Sequence, residues 1–140
     1  DFSTNSASLT GAFSTFASSG AATTNLDTAL AQTANVPISL TAVTLAALSN
    51  ITDINAILAA AEGAVTATIT DGDNATTKSV IAGTDLTTTS DDKITIDFGT
   101  KAATTARINE INALAAQAGV TSITGTLTGV SVDDIALLSS

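Results

Sequence analysis

Two carboxylates and an amide lie close together in the segment Asp71-Gly72-Asp73-Asn74. Hard oxygen ligands at this spacing on a turn can bind Ca²⁺, which takes its ligands from carboxylate and carbonyl oxygens. The segment lacks the bidentate acid that closes an EF-hand loop, and a solvated turn is the competing interpretation. Asp71, Asp73 and Asn74 are therefore the candidate metal ligands. Calcium is the one cofactor that the sequence suggests, and none is required.

The same two carboxylates, together with Asp97, are also the candidates for acid–base chemistry. A glycosidase needs a pair of such groups, but the chain has four Phe and no Trp or Tyr with which to stack a sugar. The chain also lacks His and Cys, which removes the Ser-His-Asp and Cys-His nucleophile systems and the usual zinc ligand sets. We therefore predict that the protein is not an enzyme.

The charge balance limits the partners. Thirteen acidic and four basic residues give a net charge of −9, which disfavours nucleic acid and anionic lipid. Asp91-Asp92 is interpreted as a solvated acidic corner. No run of about 18 apolar residues is present, so membrane insertion is not expected. Abundant Thr and Ser, scarce Lys and absent thiols are typical of secreted bacterial surface proteins, so we expect an extracellular or cell-surface location.

An internal repeat in the sequence predicts where these residues lie in the fold. Ile38 and Ile94 are 56 positions apart, as are Gly63 and Gly119, and the segment Ile54-Asn55-Ala56 returns after 57 positions as Ile111-Asn112-Ala113. One such repeat rarely buries its own apolar face and must stack on the next. We therefore expect Ile54 and Ile111 to be equivalent buried positions.

Each repeat divides into strand and helix segments. Thr and Ile alternate in the candidate strands, which cover 36–43, 64–70, 93–98 and 120–127, with a first strand-like segment at 5–9. Apolar residues recur at spacings of three and four in the helices predicted at 45–61 and 103–118. Shorter helices are predicted at 12–19, 23–33, 75–82 and 132–139. Gly63 and Gly119 are predicted to end the long helices in a left-handed conformation, and Ser131 with Asp134 to cap the last helix.

These segments give one repeat-built domain, 1–140, with half-units of about 1–35, 36–63, 64–92, 93–119 and 120–140. Consecutive strand–helix units join parallel strands by right-handed crossovers. We therefore predict an α/β fold, a short repeat solenoid with a parallel sheet. A compact α/β domain or a β-sandwich is the alternative.

The segment Val120-Thr121-Ser122-Ile123-Thr124-Gly125-Thr126, followed by Asp133-Asp134-Ile135-Ala136-Leu137-Leu138, resembles the tandem repeats of very large bacterial extracellular proteins. Those proteins include cyanobacterial surface-layer-like, haemolysin-like and adhesin-like chains. The resemblance covers about residues 36–140 and is a low-complexity pattern. It departs from the family at the Val-Asp-Ala strand, which here is Val65-Thr66-Ala67. It implies a spacer or scaffold segment on the cell surface, with no catalytic residues to transfer.

The sequence therefore predicts a non-enzymatic structural repeat segment of a secreted surface or fibre-forming protein. Its partners would be neighbouring copies or repeats of the same protein, joined head to tail through apolar ends that include Phe2, Phe13, Leu137 and Leu138. One alternative is a calcium-stiffened adhesin module. The other is an ice- or glycan-binding domain, because alternate Thr residues share one strand face. Lys93 and Asp97 interrupt that face on the third strand.

Overall fold

The computed structural model of the chain describes residues 9–32, 35–45, 48–71 and 86–138. Strands and helices alternate through these ranges. In chain order the elements are β1 (Leu9–Ala12), α1 (Phe13–Phe16), β2 (Ala17–Ser18), β3 (Ala21–Ala22), α2 (Thr24–Gln32), β4 (Ile38–Leu45), α3 (Leu48–Ala60), β5 (Val65–Asp71), β6 (Lys93–Ala102), α4 (Thr105–Ala115), β7 (Val120–Thr128) and α5 (Val132–Leu138).

One parallel sheet organises the described residues. Its strand order is β1-β4-β5-β6-β7, and every neighbouring pair is parallel. β2 and β3 form a separate antiparallel hairpin. The predicted α/β fold with a parallel sheet is confirmed, and the described part of the chain forms one main sheet with helices rather than two packed sheets. The solenoid form of this fold stays a prediction.

The order of strands in the sheet is also their order in the chain, so each new strand is added on the same side of the last. The register repeats at a nearly constant interval. Leu9 pairs with Ile38, and Ile38 pairs in turn with Val65. Ile94 pairs with Val120 after a similar interval, and a β7 hydroxyl reaches a β6 carbonyl 27 residues earlier in the chain. The sheet therefore grows by one strand at each such step.

The N-terminal prediction was partly wrong. β1 is described from Leu9 to Ala12. The rest of the strand-like segment predicted at 5–9 lies outside the described ranges, as does the helix predicted at 75–82. The helix predicted at 12–19 ends at Phe16. The chain then turns at Ser19 and Gly20, both with positive φ, between β2 and β3. The Gly20 amide donates to Asp53 Oδ1 at 2.6 Å, so this turn is fixed by a residue that is distant in the sequence.

Alternation along the strands separates a buried face from a polar one. On β5, Val65, Ala67 and Ile69 are buried, whereas the three intervening and following Thr are exposed. Helix side chains complete the core from the buried side, and sheet and helix residues belong to one cluster. The β-branched residues that favour a pleated strand thus also sort its two faces.

Gly63 and Gly119 do not adopt the predicted left-handed conformation. Among the described glycines, positive φ angles occur at other positions, such as Gly20 and Gly99. Both are required by close approach instead. A Cβ at Gly63 would lie 2.5 Å from the carbonyl oxygen of Asn35, and one at Gly119 would collide with the carbonyl oxygen of Thr89. At both positions the chain packs against a turn of the preceding unit. The two glycines therefore correspond because each lies where two units stack closely, and not because each caps a helix.

The sequence repeat pairs Ile54 with Ile111, whereas the strand register advances by about 27 positions a step and relates Ile54 to Ile108. Ile54 and Ile111 also differ in burial. Ile54 on α3 is fully buried, whereas Ile111 on α4 is only half-buried. Ile111 lines a groove that α4 shares with β7 and α5. The predicted burial thus holds in full only for Ile54, because in the described residues the sheet continues beyond α3 and β7 is its last strand.

This difference gives a matched test of packing. Ile54→Ala is expected to lower the free energy of unfolding by about 2–5 kcal/mol, since it leaves a cavity in a closed core. Ile111→Ala makes the same chemical change at the helix position that the sequence repeat pairs with Ile54, and it should cost less than about half as much. Urea denaturation of both variants measures the difference. Equal losses would contradict the account of an open groove beside α4.

Asp92 corrects the interpretation of the acidic corner, because its neighbour Asp91 is exposed while Asp92 is buried. Asp92 Oδ1 accepts from the Val65 amide at 2.9 Å, and Oδ2 accepts from the Thr89 amide at 2.8 Å and from Thr89 Oγ1 at 3.1 Å. At the start of other strands, the first amide donates to a main-chain carbonyl in the turn that precedes the neighbouring strand. The Ile94 amide, for example, donates to the Gly119 carbonyl. The carboxylate replaces a carbonyl at the start of β5.

Asp92→Asn keeps the shape of the side chain but turns one acceptor oxygen into a donor that faces other donors. We expect the free energy of unfolding to fall by about 1–3 kcal/mol, the cost of leaving a buried polar group unpaired. Asp91→Asn is the control, since it removes the same charge at an exposed site and should change stability by less than about 0.5 kcal/mol. Guanidinium denaturation measures the free energy of unfolding of both variants. Equal losses would contradict the role of Asp92 as a buried acceptor.

Candidate functional site

Of the predicted calcium ligands, only Asp71 lies in a described range, where it is the last residue of β5. Asp73 and Asn74 fall outside the described residues, so the calcium site stays a prediction. Within the ranges that are described, no cluster of three or more His, Cys, Asp or Glu side chains is arranged to hold a metal ion.

Asp97, the remaining candidate carboxylate, accepts a hydrogen bond from the backbone of its own strand. It lies on the polar face of β6, and its Oδ1 accepts from the Gly99 amide at 2.9 Å. Gly99 has a φ of 65°, a conformation that glycine adopts without strain. The carboxylate thus fixes the irregularity at which β6 and β7 change register.

The polar face of the sheet carries rows of hydroxyl side chains across neighbouring strands, which are separated by about 4.8 Å. Lys93 and Asp97 interrupt the outer rows, as the sequence predicts, and only the central row is built from hydroxyl groups throughout. The register gives three rows over β5, β6 and β7: Thr66 with Lys93, then Thr68 with Thr95 and Ser122, then Thr70 with Asp97 and Thr124.

β7 forms the last strand of the sheet in the described residues, with β6 on one side. Hydroxyl groups strengthen that pairing: Thr121 Oγ1 donates to the Ile94 carbonyl at 3.3 Å, and Thr128 Oγ1 to the Lys101 carbonyl at 3.3 Å. The other side of β7 is an edge, and an unpaired edge is a template for another strand.

An apolar groove of about 510 Å³ runs beside this edge, between α4, β7 and α5. Its apolar lining comes from Phe98, Ile111, Ile123, Leu127 and Leu138. A second hollow of about 330 Å³ shares Ile111, Ile123 and Leu138 with it. The two hollows are therefore parts of one apolar depression at the end of the sheet.

Two sets of hydrogen bonds involve α5, one within its first turn and one to α4 at the rim of the groove. Ser131 and Asp134 form the predicted cap: the Ser131 amide and Oγ donate to Asp134 Oδ2 at 2.8 and 2.7 Å, and the Asp134 amide donates to Ser131 Oγ at 3.2 Å. Asn112 Nδ2 on α4 donates to the Leu137 carbonyl at 2.8 Å. The Asn112 bond ties the end of α5 to α4, whereas the cap bonds lie within the first turn of α5 itself.

The outward side of α5 is apolar. Every large apolar side chain that is exposed in the described part of the chain lies between positions 130 and 138, namely Val130, Val132, Ile135 and Leu138. Val132, Ile135 and Leu138 follow one another at intervals of three, so they form a stripe on one side of the helix. We call these four residues, with the groove and the outer edge of β7, the C-terminal face. An exposed apolar surface is the kind of feature on which a partner can be buried.

Sequence reasoning named Leu137 and Leu138 but missed Ile135, for which a signal exists. Ile54, Ile108 and Ile135 are separated by 54 and 27 positions, two steps and one step of the structural repeat. Ile54 and Ile108 are 0% exposed and Ile135 is 59% exposed. The same position in the repeat is thus closed inside the sheet and open at its end.

Comparisons of the chain with protein-family models, with curated proteins and with solved structures find no match. Among the helices of the described ranges, none is long and apolar enough to cross a bilayer.

The cap of α5 gives a pH-dependent prediction. The Ser131 hydrogen bonds hold the pKa of Asp134 below its ordinary value. A lowered pKa in the folded state stabilises the cap above the unfolded pKa, and this stabilisation is lost as the pH falls through the folded value. We therefore expect the amides of α5 to exchange faster with solvent as the pH falls below about 4, after correction for intrinsic exchange.

Asp134→Asn should remove this acid-induced change. Asp133→Asn is the matched control, because it deletes the neighbouring carboxylate and leaves the Ser131 contacts in place. Hydrogen exchange followed by NMR measures both, and an acid response that survives in Asp134→Asn would refute the assignment.

Proposed function

We propose that the chain is a non-enzymatic structural repeat segment of a secreted bacterial surface or fibre-forming protein. Each strand–helix unit buries its apolar side on the next unit, and the C-terminal face is buried on a neighbouring copy or repeat. The observation that carries this proposal is the burial series at Ile54, Ile108 and Ile135. A repeat position that is closed in inner units and open in the last one has a surface suited to another unit.

The chemistry of the C-terminal face fits such a partner. An added strand would satisfy the outer backbone groups of β7 and continue the ladder, while its apolar side chains would enter the groove beside Ile111 and Leu138. Neighbouring units inside the sheet are joined in the same way, by backbone hydrogen bonds between strands and by packing between apolar side chains. The face therefore favours a strand-bearing partner over a small ligand.

Magnitudes indicate how strong this contact is. Each large side chain gains about 1.5–3 kcal/mol when it is fully buried, and the four exposed ones are partly buried already. Association itself costs about 4–15 kcal/mol. A single contact between free copies should therefore be weak, and copies held close together in one polypeptide or one layer would associate far better.

Location and alternatives follow from the same features. An acidic chain without thiols, and the resemblance to extracellular tandem repeats, support a role outside the cell. The calcium-stiffened adhesin alternative depends on Asp73 and Asn74, which lie outside the described residues. Ice or glycan binding would use the hydroxyl rows of the polar face, and charged Lys93 and Asp97 make those rows discontinuous. A structural role accounts for the edge, the groove and the stripe together.

Sedimentation over a wide concentration range tests the proposal. We expect the mean mass of the wild-type chain to rise with concentration. Ile135→Glu should weaken association at least tenfold, because it places a charge in the apolar stripe. The control is Ala59→Glu, which adds the same charge at an exposed position of α3 and should leave association unchanged. A wild-type chain that is monomeric throughout, or an equal effect of both substitutions, would contradict assembly through this face.

A further inference from the structure

We propose that residues 86–92 act as a latch that makes the units on its two sides open together rather than one at a time. These residues, the latch segment, form neither helix nor strand and lead directly into β6. A repeat array is joined by contacts between neighbouring units, so it is able to open at any one interface. A segment that is bonded to both neighbours at once removes that freedom. The device lies within one chain and does not depend on how copies assemble.

The latch segment begins at a position that helices fill in the units on either side. Leu86 lies 28 positions after Leu58 of α3 and 28 positions before Leu114 of α4. All three leucines are buried, so Leu86 anchors the segment in the core as the other two anchor their helices. Because the chain after Leu86 is not helical, its amides and hydroxyl groups are not used within a helix. They form hydrogen bonds to the neighbouring units instead.

One set of bonds joins the latch segment to the unit that precedes it. Asn55 Oδ1 on α3 accepts from the Thr87 amide at 3.0 Å and from Thr87 Oγ1 at 3.1 Å. At the other end of the segment, Asp92 Oδ1 accepts from the Val65 amide at 2.9 Å, where β5 begins. The latch segment is therefore tied near both of its ends to the unit formed by α3 and β5.

A second contact joins the segment to the unit that follows. The Gly119 amide, in the turn before β7, donates to Thr88 Oγ1 at 3.1 Å. A Cβ at Gly119 would lie 2.7 Å from Thr88 Cβ and 2.8 Å from Asp92 Cβ, so the turn packs directly on the segment. In the sheet β6 lies between β5 and β7. The latch segment thus connects two units whose strands the backbone ladder does not pair with each other.

The two ties are coupled because they start from adjacent residues. Thr87 bonds towards α3 and Thr88 bonds towards the turn before β7. The peptide unit between them is planar and rigid, so a displacement of one tie is transmitted to the other. Side chains that share such a segment contribute to stability as a network. If the array is pulled, as the proposed structural role implies, the latch keeps one unit from separating while its neighbours stay folded.

A double-mutant cycle tests the latch. Asn55→Ala removes the tie to α3, and Thr88→Val removes the tie to the Gly119 amide with little change in shape. Each substitution alone is expected to raise the equilibrium constant of unfolding roughly fivefold, the effect of one lost hydrogen bond. Because the loss of either tie releases the segment, the double variant should fall clearly below the product of the two single effects. Urea denaturation measures all three variants.

Asp53→Ala is the matched control. Asp53 lies on the same helix as Asn55, but its Oδ1 accepts from the Gly20 amide of an earlier unit. Combined with Thr88→Val, it should give the full product of the single effects. Hydrogen exchange at the Gly119 amide is a second measurement. Exchange should be several-fold faster in Asn55→Ala than in Asp53→Ala, although neither substitution changes the acceptor of this amide.

The outcomes separate a latch from a set of independent hydrogen bonds. An effect below the product for Asn55→Ala with Thr88→Val, together with the faster exchange at Gly119, supports the latch. Full products in both cycles, or equal exchange at Gly119 in the two α3 variants, would overturn it. Neither result bears on association through the C-terminal face, which sedimentation measures separately.

Discussion

The parallel backbone ladder is the constraint on which the rest of the structure depends. A parallel strand cannot be followed directly by its neighbour, so the chain must cross over the sheet before each pairing. Here the sequence interval between paired residues of neighbouring strands is nearly constant from one strand pair to the next. Residues one such interval apart therefore lie side by side on neighbouring strands throughout the sheet.

The turns between units follow from the same ladder. Gly63 and Gly119 allow one turn to stack directly on the backbone of an earlier one. Asp92 closes the ladder at the start of β5, where its carboxylate receives the Val65 amide that a carbonyl would otherwise accept. The buried side chain is accommodated because both of its oxygens are hydrogen-bonded. At the start of β5, a side-chain oxygen thus takes the place of a main-chain carbonyl as the acceptor, and the sheet continues without interruption.

Local signals predicted the parts of the fold that local physics controls. Alternation of Ile with Thr is sufficient to place β5 and β6, because a two-residue period both favours a strand and sorts its faces. The Ser131–Asp134 cap was predicted since its partners are three positions apart. The helix expected at 12–19 failed because the β2–β3 turn depends on Asp53, and the burial of Asp92 was missed because its acceptor role depends on Val65 and the Thr89 turn. Contacts made across a crossover leave no local signal.

The candidate site shows the same division. Acidic residues on a turn suggested calcium, whereas the face that stands out in the structure is apolar and is recognised only by comparing units. Ile135 resembles any other helical isoleucine until its counterparts Ile54 and Ile108 are found to be closed. Its exposure is therefore a property of position in the array and not of the residue.

The ends of the sheet explain how so few aromatic residues are used. Inner units can fill their core with Ile, Leu, Val and Ala, because each unit presents a matching surface to the next. An end has no such neighbour and needs either bulk or a partner. Phe13 and Phe16 provide bulk beside β1, and Phe98 lines the groove beside β7 without closing it. In the described residues, Phe13 and Phe16 thus fill the core beside β1, whereas the helix beyond β7 keeps an apolar stripe exposed.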